Sequence, residues 1–319
     1  MSQAAAVKRR ASELGFLACG ITDPSPVPDG GRLDQWLASG YAGVMRYLHR
    51  QARKRKDPRL IIPEAKSVVV VLDNYYDGDS DPGPVPKVAR YARGQDYHRV
   101  TRARLDRLAD TLRNEGAAVA HTFTDSGPVP ERALALRAGL GWIGKNTMLI
   151  RPGTGSFFFI GTIFTDLELD RDDSVVTDHC GSCTRCLDAC PTDALVEPRL
   201  LDATRCISYL TIEQKGPIPA PLAERLEGWV FGCDICNEVC PWNQRFAEPS
   251  ASEEFRSHDE LAGAPDDLFD RMDQEEFARR FGDTPLERAG LRGMRRNFRA
   301  ALAASRTSGH PRDDPGLIE

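Results

Sequence analysis

Eight of the nine cysteines in this 319-residue chain fall into two sets whose spacing could hold metal. Residues 180–191 read Cys-Gly-Ser-Cys-Thr-Arg-Cys-Leu-Asp-Ala-Cys-Pro, the C-x₂-C-x₂-C-x₃-C-P run of a bacterial-type iron–sulfur protein. Cys206 then stands alone, and Cys233, Cys236 and Cys240 follow, with Pro241 after the last. Eight thiolates suit two cubane clusters. Because the fourth thiolate of such a run crosses to the other cluster, Cys180, Cys183, Cys186 and Cys240 are assigned to one, and Cys190, Cys206, Cys233 and Cys236 to the other. The chemistry expected is electron transfer through two linked centres. Structural zinc usually joins two Cys pairs across a longer finger. Disulfides are not expected in a chain long enough to bury a core and bearing no mark of secretion. Cys19, outside both sets, reads as a small buried hydrophobe.

Roughly half of the chain precedes these thiols and must serve whatever the electrons are for. With 41% hydrophobic and 28% charged residues the chain has the composition of a folded protein of two or three domains. A net charge of −5 argues against indiscriminate coating of nucleic acid and leaves room for a local basic face. No apolar run approaches a membrane span. Lys8-Arg9-Arg10 ahead of Phe16 loosely mimics an export signal, but Glu13 and Gly15 interrupt the apolar stretch, so a cytoplasmic protein is expected.

The pattern predicts a helix over 3–15, a strand over 16–22, a broken helix over 33–48, a buried strand over 66–72 and a long Asp/Gly/Pro-rich loop over 73–86. A helix over 97–115, a strand over 117–123, a helix over 131–138 and an apolar strand over 156–164 follow, an α/β alternation filling the first half. Residues 46–59 hold seven Lys/Arg against one acid, either a solvated helix end or an anion-binding patch. Gly139, Gly141 and Gly144 satisfy G-x-G-x-x-G, and residues 139–146 satisfy a P-loop except for Asn146. The flanking helix before and extended segment after reject both motifs and leave a candidate cofactor loop of another kind. A helix is expected over 222–231, an acidic helical stretch beyond Pro241, an Arg-rich one over 288–306 and a disordered tail over 309–319.

Several stretches carry a family resemblance. They are Asp125-Ser-Gly-Pro, Ala-Gly-Leu-Gly-Trp-Ile-Gly-Lys-Asn at 138–146, the run at 180–191, Cys-Ile-Ser-Tyr-Leu-Thr at 206–211, and Gly-Cys-Asp-Ile-Cys-Asn-Glu-Val-Cys-Pro at 232–241. Over roughly residues 10 to 305 the chain resembles the epoxyqueuosine reductases, cobalamin- and iron–sulfur-dependent enzymes of the last step of queuosine synthesis at the tRNA wobble position. Many members carry C-terminal helical repeats, whereas here one Arg-rich helix follows the clusters.

The resemblance implies an α+β protein in three parts. A nitroreductase-like α/β cobalamin-binding domain would span 1–170, a bacterial-ferredoxin-type domain with two [4Fe-4S] clusters 171–246, and a short helical C-terminus 247–319. It implies cobalamin bound by Arg55, Asp125, Trp142, Lys145, Asn146, Ser208 and Asp234, with Asp125 as the general acid that protonates the opening epoxide. Burial beside the corrin would raise the Asp125 pKa in the direction needed. Phosphates of the tRNA would meet Lys215, Arg295 and Arg296. An external electron donor, a monomeric state and no membrane complete the expectation. The alternatives are a cobalamin-dependent reductive dehalogenase, which is typically exported, and a plain two-cluster electron carrier, which would leave the first half without a task.

Overall fold

The computed structural model describes residues 2–28, 30–78, 86–172, 176–257, 265 and 267–307. Residues 79–85 of the expected 73–86 loop and the expected disordered tail lie outside the described residues.

Four antiparallel strands form the central sheet in the order Ala18–Thr22, Ser67–Asn74, Phe158–Thr165, Ala120–Thr124. The valine run of Ser67–Asn74 explains its central place, because both of its faces are covered and neither needs polar residues. Val69 and Val71 pack on Val7 and Ala11 of the helix Gln3–Glu13 and on Leu105, Leu108 and Leu112 of the helix Tyr97–Asn114. Val68, Val70 and Leu72 point the other way, onto Leu134 and Ala135 of the helix Glu131–Arg137. Each such side chain contributes about 1.5–3 kcal/mol over an exposed one. Gly161 lets the long helix come close, since a Cβ there would lie 2.8 Å from a Leu105 methyl. The helix Tyr97–Asn114 begins where Asp96 accepts the His98 backbone N–H at 3.0 Å, which sets Tyr97 and His98 side by side in its first turn.

In the cysteine-rich part, the helices Arg185–Asp188 and Ile235–Glu238 pack against each other, each carrying one internal thiol, Cys186 and Cys236. The two prolines act differently. Pro191 follows the end of the first helix, where a missing N–H bars continuation, whereas Pro241 opens the next helix, Pro241–Phe246, where that N–H is not needed.

The expected helix over 222–231 is corrected. Only Ala220–Ala223 is α-helical, and Trp229–Phe231 is a strand paired in parallel with Lys87–Val88. Glu227 and Gly228 both take positive φ, 49° and 80°, which ends any helix there. This pairing ties the first half to the cysteine-rich part. The C-terminal helices Leu268–Arg271, Gln274–Phe281 and Gly290–Thr307 close over it, burying Val88, Val230 and Phe231 against Phe269, Phe281, Met294 and Phe298.

Candidate active site and cluster cradle

The cysteine thiols face one another in two groups. Cys186 feels the charges of Cys180, Cys240 and Cys183, and Cys240 those of Cys180 and Cys183. Cys206 feels Cys190, and Cys233 feels Cys236 and Cys206. Cys236 faces Cys206 and Cys190 as well as Cys186, so it stands where the two groups adjoin. These groupings fit the crossed ligand sets. Burial pushes the Cys236 and Cys233 thiols well above their ordinary range, and cluster iron, when bound, would hold them as thiolates. Among the described residues no trio of His, Cys, Asp or Glu closes on one point as a single-ion site would.

Most residues expected at the cofactor hold these loops. Trp142 is buried and donates its indole N–H to Cys180 Sγ at 3.5 Å. The Lys145 ammonium donates to the carbonyls of Gly181 at 2.7 Å and Cys183 at 2.9 Å. Asn146 is buried and donates from Nδ2 to the Cys236 carbonyl at 3.2 Å. Asp234 accepts the Arg90 backbone N–H at 2.7 Å, and Ser208 bonds the Cys206 sulfur. The glycines at 141 and 144 belong to a hairpin, Trp142–Ile143 with Leu149–Ile150. A Cβ on Gly141 would lie 2.3 Å from the Ile150 carbonyl oxygen. Asn237, Asn243 and Ser156 extend the buried amide network: Asn243 Nδ2 donates to the Asn237 carbonyl at 2.8 Å and to Ser156 Oγ at 2.9 Å. Sequence reasoning missed this set, although Asn237 stands between Cys236 and Cys240.

Asp125 and Arg55 meet elsewhere, in a cleft of ≈ 810 Å³ lined also by Val27, Leu33, Trp36, Val129, Glu131 and Ile143. Asp125 sits in the left-handed region, φ 45°, with its side chain 68% exposed to the cleft. Tyr97 Oη donates to its Oδ2 at 2.5 Å, and His98 Nε2 lies 3.8 Å from the same oxygen. Asp96 Oδ1 is 2.8 Å from the other His98 ring nitrogen. Tyr97 is held flat on Phe159, ring centroids 4.1 Å apart. Burial, and then the Asp125 charge, raises the Tyr97 pKa well above the phenol range, so its proton stays available to that bond. Glu131 Oε1 accepts the Asp125 backbone N–H at 2.7 Å. The Glu131 carboxyl pKa is raised, by burial first and then by the Asp125 charge, with Arg55 and Arg132 opposing. The Asp125 side chain opens to the cleft, the face on which a corrin would cover it.

The cations expected at tRNA are engaged within the chain. Lys215 Nζ donates to the carbonyls of Ile212 and Arg288, both at 3.1 Å. Arg295 donates to the Phe269 carbonyl at 2.9 Å and to that of Met272. Arg296 donates to the carbonyls of Gly216 at 2.7 Å and Leu210 at 2.8 Å. All three fasten helix Gly290–Thr307 and its neighbours.

A family model described as 4Fe-4S double cluster binding domain matches residues 179–243. Fold and site together define a two-cluster iron–sulfur oxidoreductase with a carboxylate-bearing cleft of mixed α/β build. A second family model, Epoxyqueuosine reductase QueG, DUF1730, matches residues 55–126. Epoxyqueuosine reductases of Cyclobacterium marinum and Pseudomonas aeruginosa are 43% and 42% identical over 92% and 94% of this chain, covering 94% and 84% of those proteins. A crystal structure of epoxyqueuosine reductase with a tRNA-Tyr epoxyqueuosine-modified stem loop superposes with a TM-score of 0.84 at 31% identity, over 94% of this chain and 80% of that one. The Streptococcus thermophilus epoxyqueuosine reductase structure gives 0.81 at 28%, over 94% and 81%. The chain belongs to the epoxyqueuosine reductase family. Among the described residues no helix is long and apolar enough to cross a membrane.

Proposed function

We propose that this chain reduces epoxyqueuosine to queuosine at the wobble position of tRNA. Converting an epoxide to an alkene consumes two electrons and two protons and releases water. The two thiol sets supply a route for electrons from an external donor, and Asp125 supplies a proton to the epoxide oxygen. The observation that carries this reading is the 2.5 Å bond from Tyr97 to the Asp125 carboxyl in an open cleft beside the cluster cradle. It leaves one carboxyl oxygen to face substrate. A related Bacillus subtilis structure is described with its catalytic aspartate loop swung out of the active site, and the positive-φ turn at Asp125 suits such a loop.

Cobalamin is the proposed cofactor of the cleft. The residues present fit it: Arg55 Nε is buried with no hydrogen-bond partner among the described residues, and the cleft wall is largely apolar. Arg55 and Asp125 would face the corrin, Arg55 through its orphaned N–H on an amide or phosphate oxygen. Trp142, Lys145, Asn146, Ser208 and Asp234 would fix the cluster loops against it. When bound, cobalamin supplies a reduced cobalt nucleophile for an epoxide carbon. Lys215, Arg295 and Arg296 would offer tRNA phosphates the N–H donors left over from their carbonyl bonds. The three-part layout at 1–170, 171–246 and 247–319, the nitroreductase-like first part, the monomeric state and the cytoplasmic location belong to the same proposal.

The test is anaerobic incubation of the protein, cobalamin and a low-potential reductant with epoxyqueuosine-containing tRNA, followed by mass spectrometry of the nucleosides. Loss of one oxygen from the modified base is expected, and an unchanged nucleoside would overturn the reading.

A further inference from the structure

Most lysine and arginine heads near the cleft are spoken for. Lys56 pairs with Asp34 at 2.7 Å, Arg137 and Arg171 share Asp23, and Arg288 pairs with Glu213 at 2.8 Å. The short helices Arg46–Arg50 and Ala52–Lys56 are the exception. Arg46, Arg50, Arg53 and Lys54 are exposed, and among the described residues none has a hydrogen-bond or ion-pair partner. Four uncompensated cations within nine residues stand out in a chain of net charge −5.

Their position matters as much as their charge. The same helix that carries Arg53 and Lys54 carries Arg55 and Lys56, which line the Asp125 cleft. It is pinned there: Arg55 donates to the Gly127 carbonyl at 3.2 Å, and the Val27 N–H donates to the Lys56 carbonyl at 2.9 Å. Tyr47, in the neighbouring helix, lies close enough to feel the charges of Asp125 and Arg55 as well as Glu213 and Arg288. The cationic surface therefore begins at the wall of the cleft. Any nucleic acid that places one base in that cleft must lay its flanking phosphates on the surrounding rim.

We propose that Arg46, Arg50, Arg53 and Lys54 form the phosphate-binding surface that seats the substrate tRNA backbone beside the Asp125 cleft. The inference rests on the tRNA reading above and extends it to a surface apart from helix Gly290–Thr307. Cations already bonded to main-chain carbonyls are held in place with part of their donor set spent, whereas these four have every donor open and give up only water. They release counterions on binding, so the signature is in salt dependence.

The experiment measures Kd for an epoxyqueuosine-modified tRNA stem loop from low to moderate salt, using the full chain with its iron retained. The variant is Arg50→Gln/Arg53→Gln/Lys54→Gln. Its control is Arg113→Gln/Arg256→Gln/Arg271→Gln, which removes the same charge from three exposed, ion-paired arginines. Three lost phosphate contacts should shallow the slope of log Kd against log salt by about two units. The control should keep the wild-type slope. A triple variant that keeps the wild-type slope overturns the proposal, as does a control that loses as much, because the effect would then be net charge. Binding is read without turnover, so a wild type that binds but leaves the nucleoside unreduced sinks the functional reading and not this surface.

Discussion

Tyr97 donates its phenol proton to the carboxyl oxygen Oδ2 of Asp125 at 2.5 Å, joining the first turn of one helix to the turn that precedes another. The bond makes the orientation of Asp125 depend on a residue twenty-eight positions earlier. Asp125→Asn keeps the shape but cannot deliver a carboxylic proton. Turnover should fall by about 10²–10⁴-fold with iron content and melting temperature retained. Tyr97→Phe should cost about ten-fold through misorientation alone. An Asp125→Asn protein with near wild-type turnover would remove Asp125 from the chemistry.

Glu131 predicts a pH dependence. Its folded pKa is raised above the ordinary carboxylate value of about 4.3, so over the interval above that value the folded state keeps a proton the unfolded chain has lost. Stability from this group is full at and below the ordinary value and declines as pH rises through the raised one. Glu131→Gln carries no titrating proton and should flatten that decline. Melting temperatures of the two proteins across mildly acidic to neutral pH test it, and parallel curves would exclude Glu131 as the source.

The proposed crossed ligation would make Cys190 and Cys206 partners across fifteen residues and the two-stranded hairpin of Leu195–Glu197 with Leu200–Leu201. Cys190→Ala and Cys206→Ala should each remove roughly half of the iron after anaerobic reconstitution and leave the same spectroscopic signal behind. Cys180→Ala should leave the complementary signal. Cys19 packs against the helix–sheet core, and burial pushes its thiol to about 12, so Cys19→Ser should retain all iron. Identical residual spectra from Cys180→Ala and Cys190→Ala would break the assignment.

Lys145 reaches the first cysteine loop from outside it, with two carbonyls on one ammonium. Lys145→Met should destabilise the holoprotein by about 1–2 kcal/mol, the scale of a charge-assisted bond at a partly exposed site. Iron of the cluster at Cys180, Cys183 and Cys186 should become the first to yield to a chelator. Chelation kinetics with the same order as wild type would show that the loop needs no such anchor.

The cysteine spacing by itself pointed to a double-cluster domain, because the C-x₂-C-x₂-C-x₃-C-P run is a local pattern of the chain. Four thiols within eleven residues, a proline after each half and one distant partner leave few other arrangements. The valine run likewise determined the central strand, and the Asp96 cap the start of the long helix, since both depend on neighbours a few residues away. Pairing across distance was not written locally. Trp229–Phe231 has the apolar content of a buried helix end and became a strand because Lys87–Val88 presents an edge to it and Glu227–Gly228 turns the chain with positive φ. The same holds for charge. Arg296 and Arg53 are alike in sequence, both arginines in basic helices, yet packing bonds one to the carbonyls of Leu210 and Gly216 and leaves the other without a partner among the described residues. Whether a cation is a strut or a binding surface is decided by which carbonyls the fold brings within 3 Å of it, a property of tertiary structure that no local pattern contains.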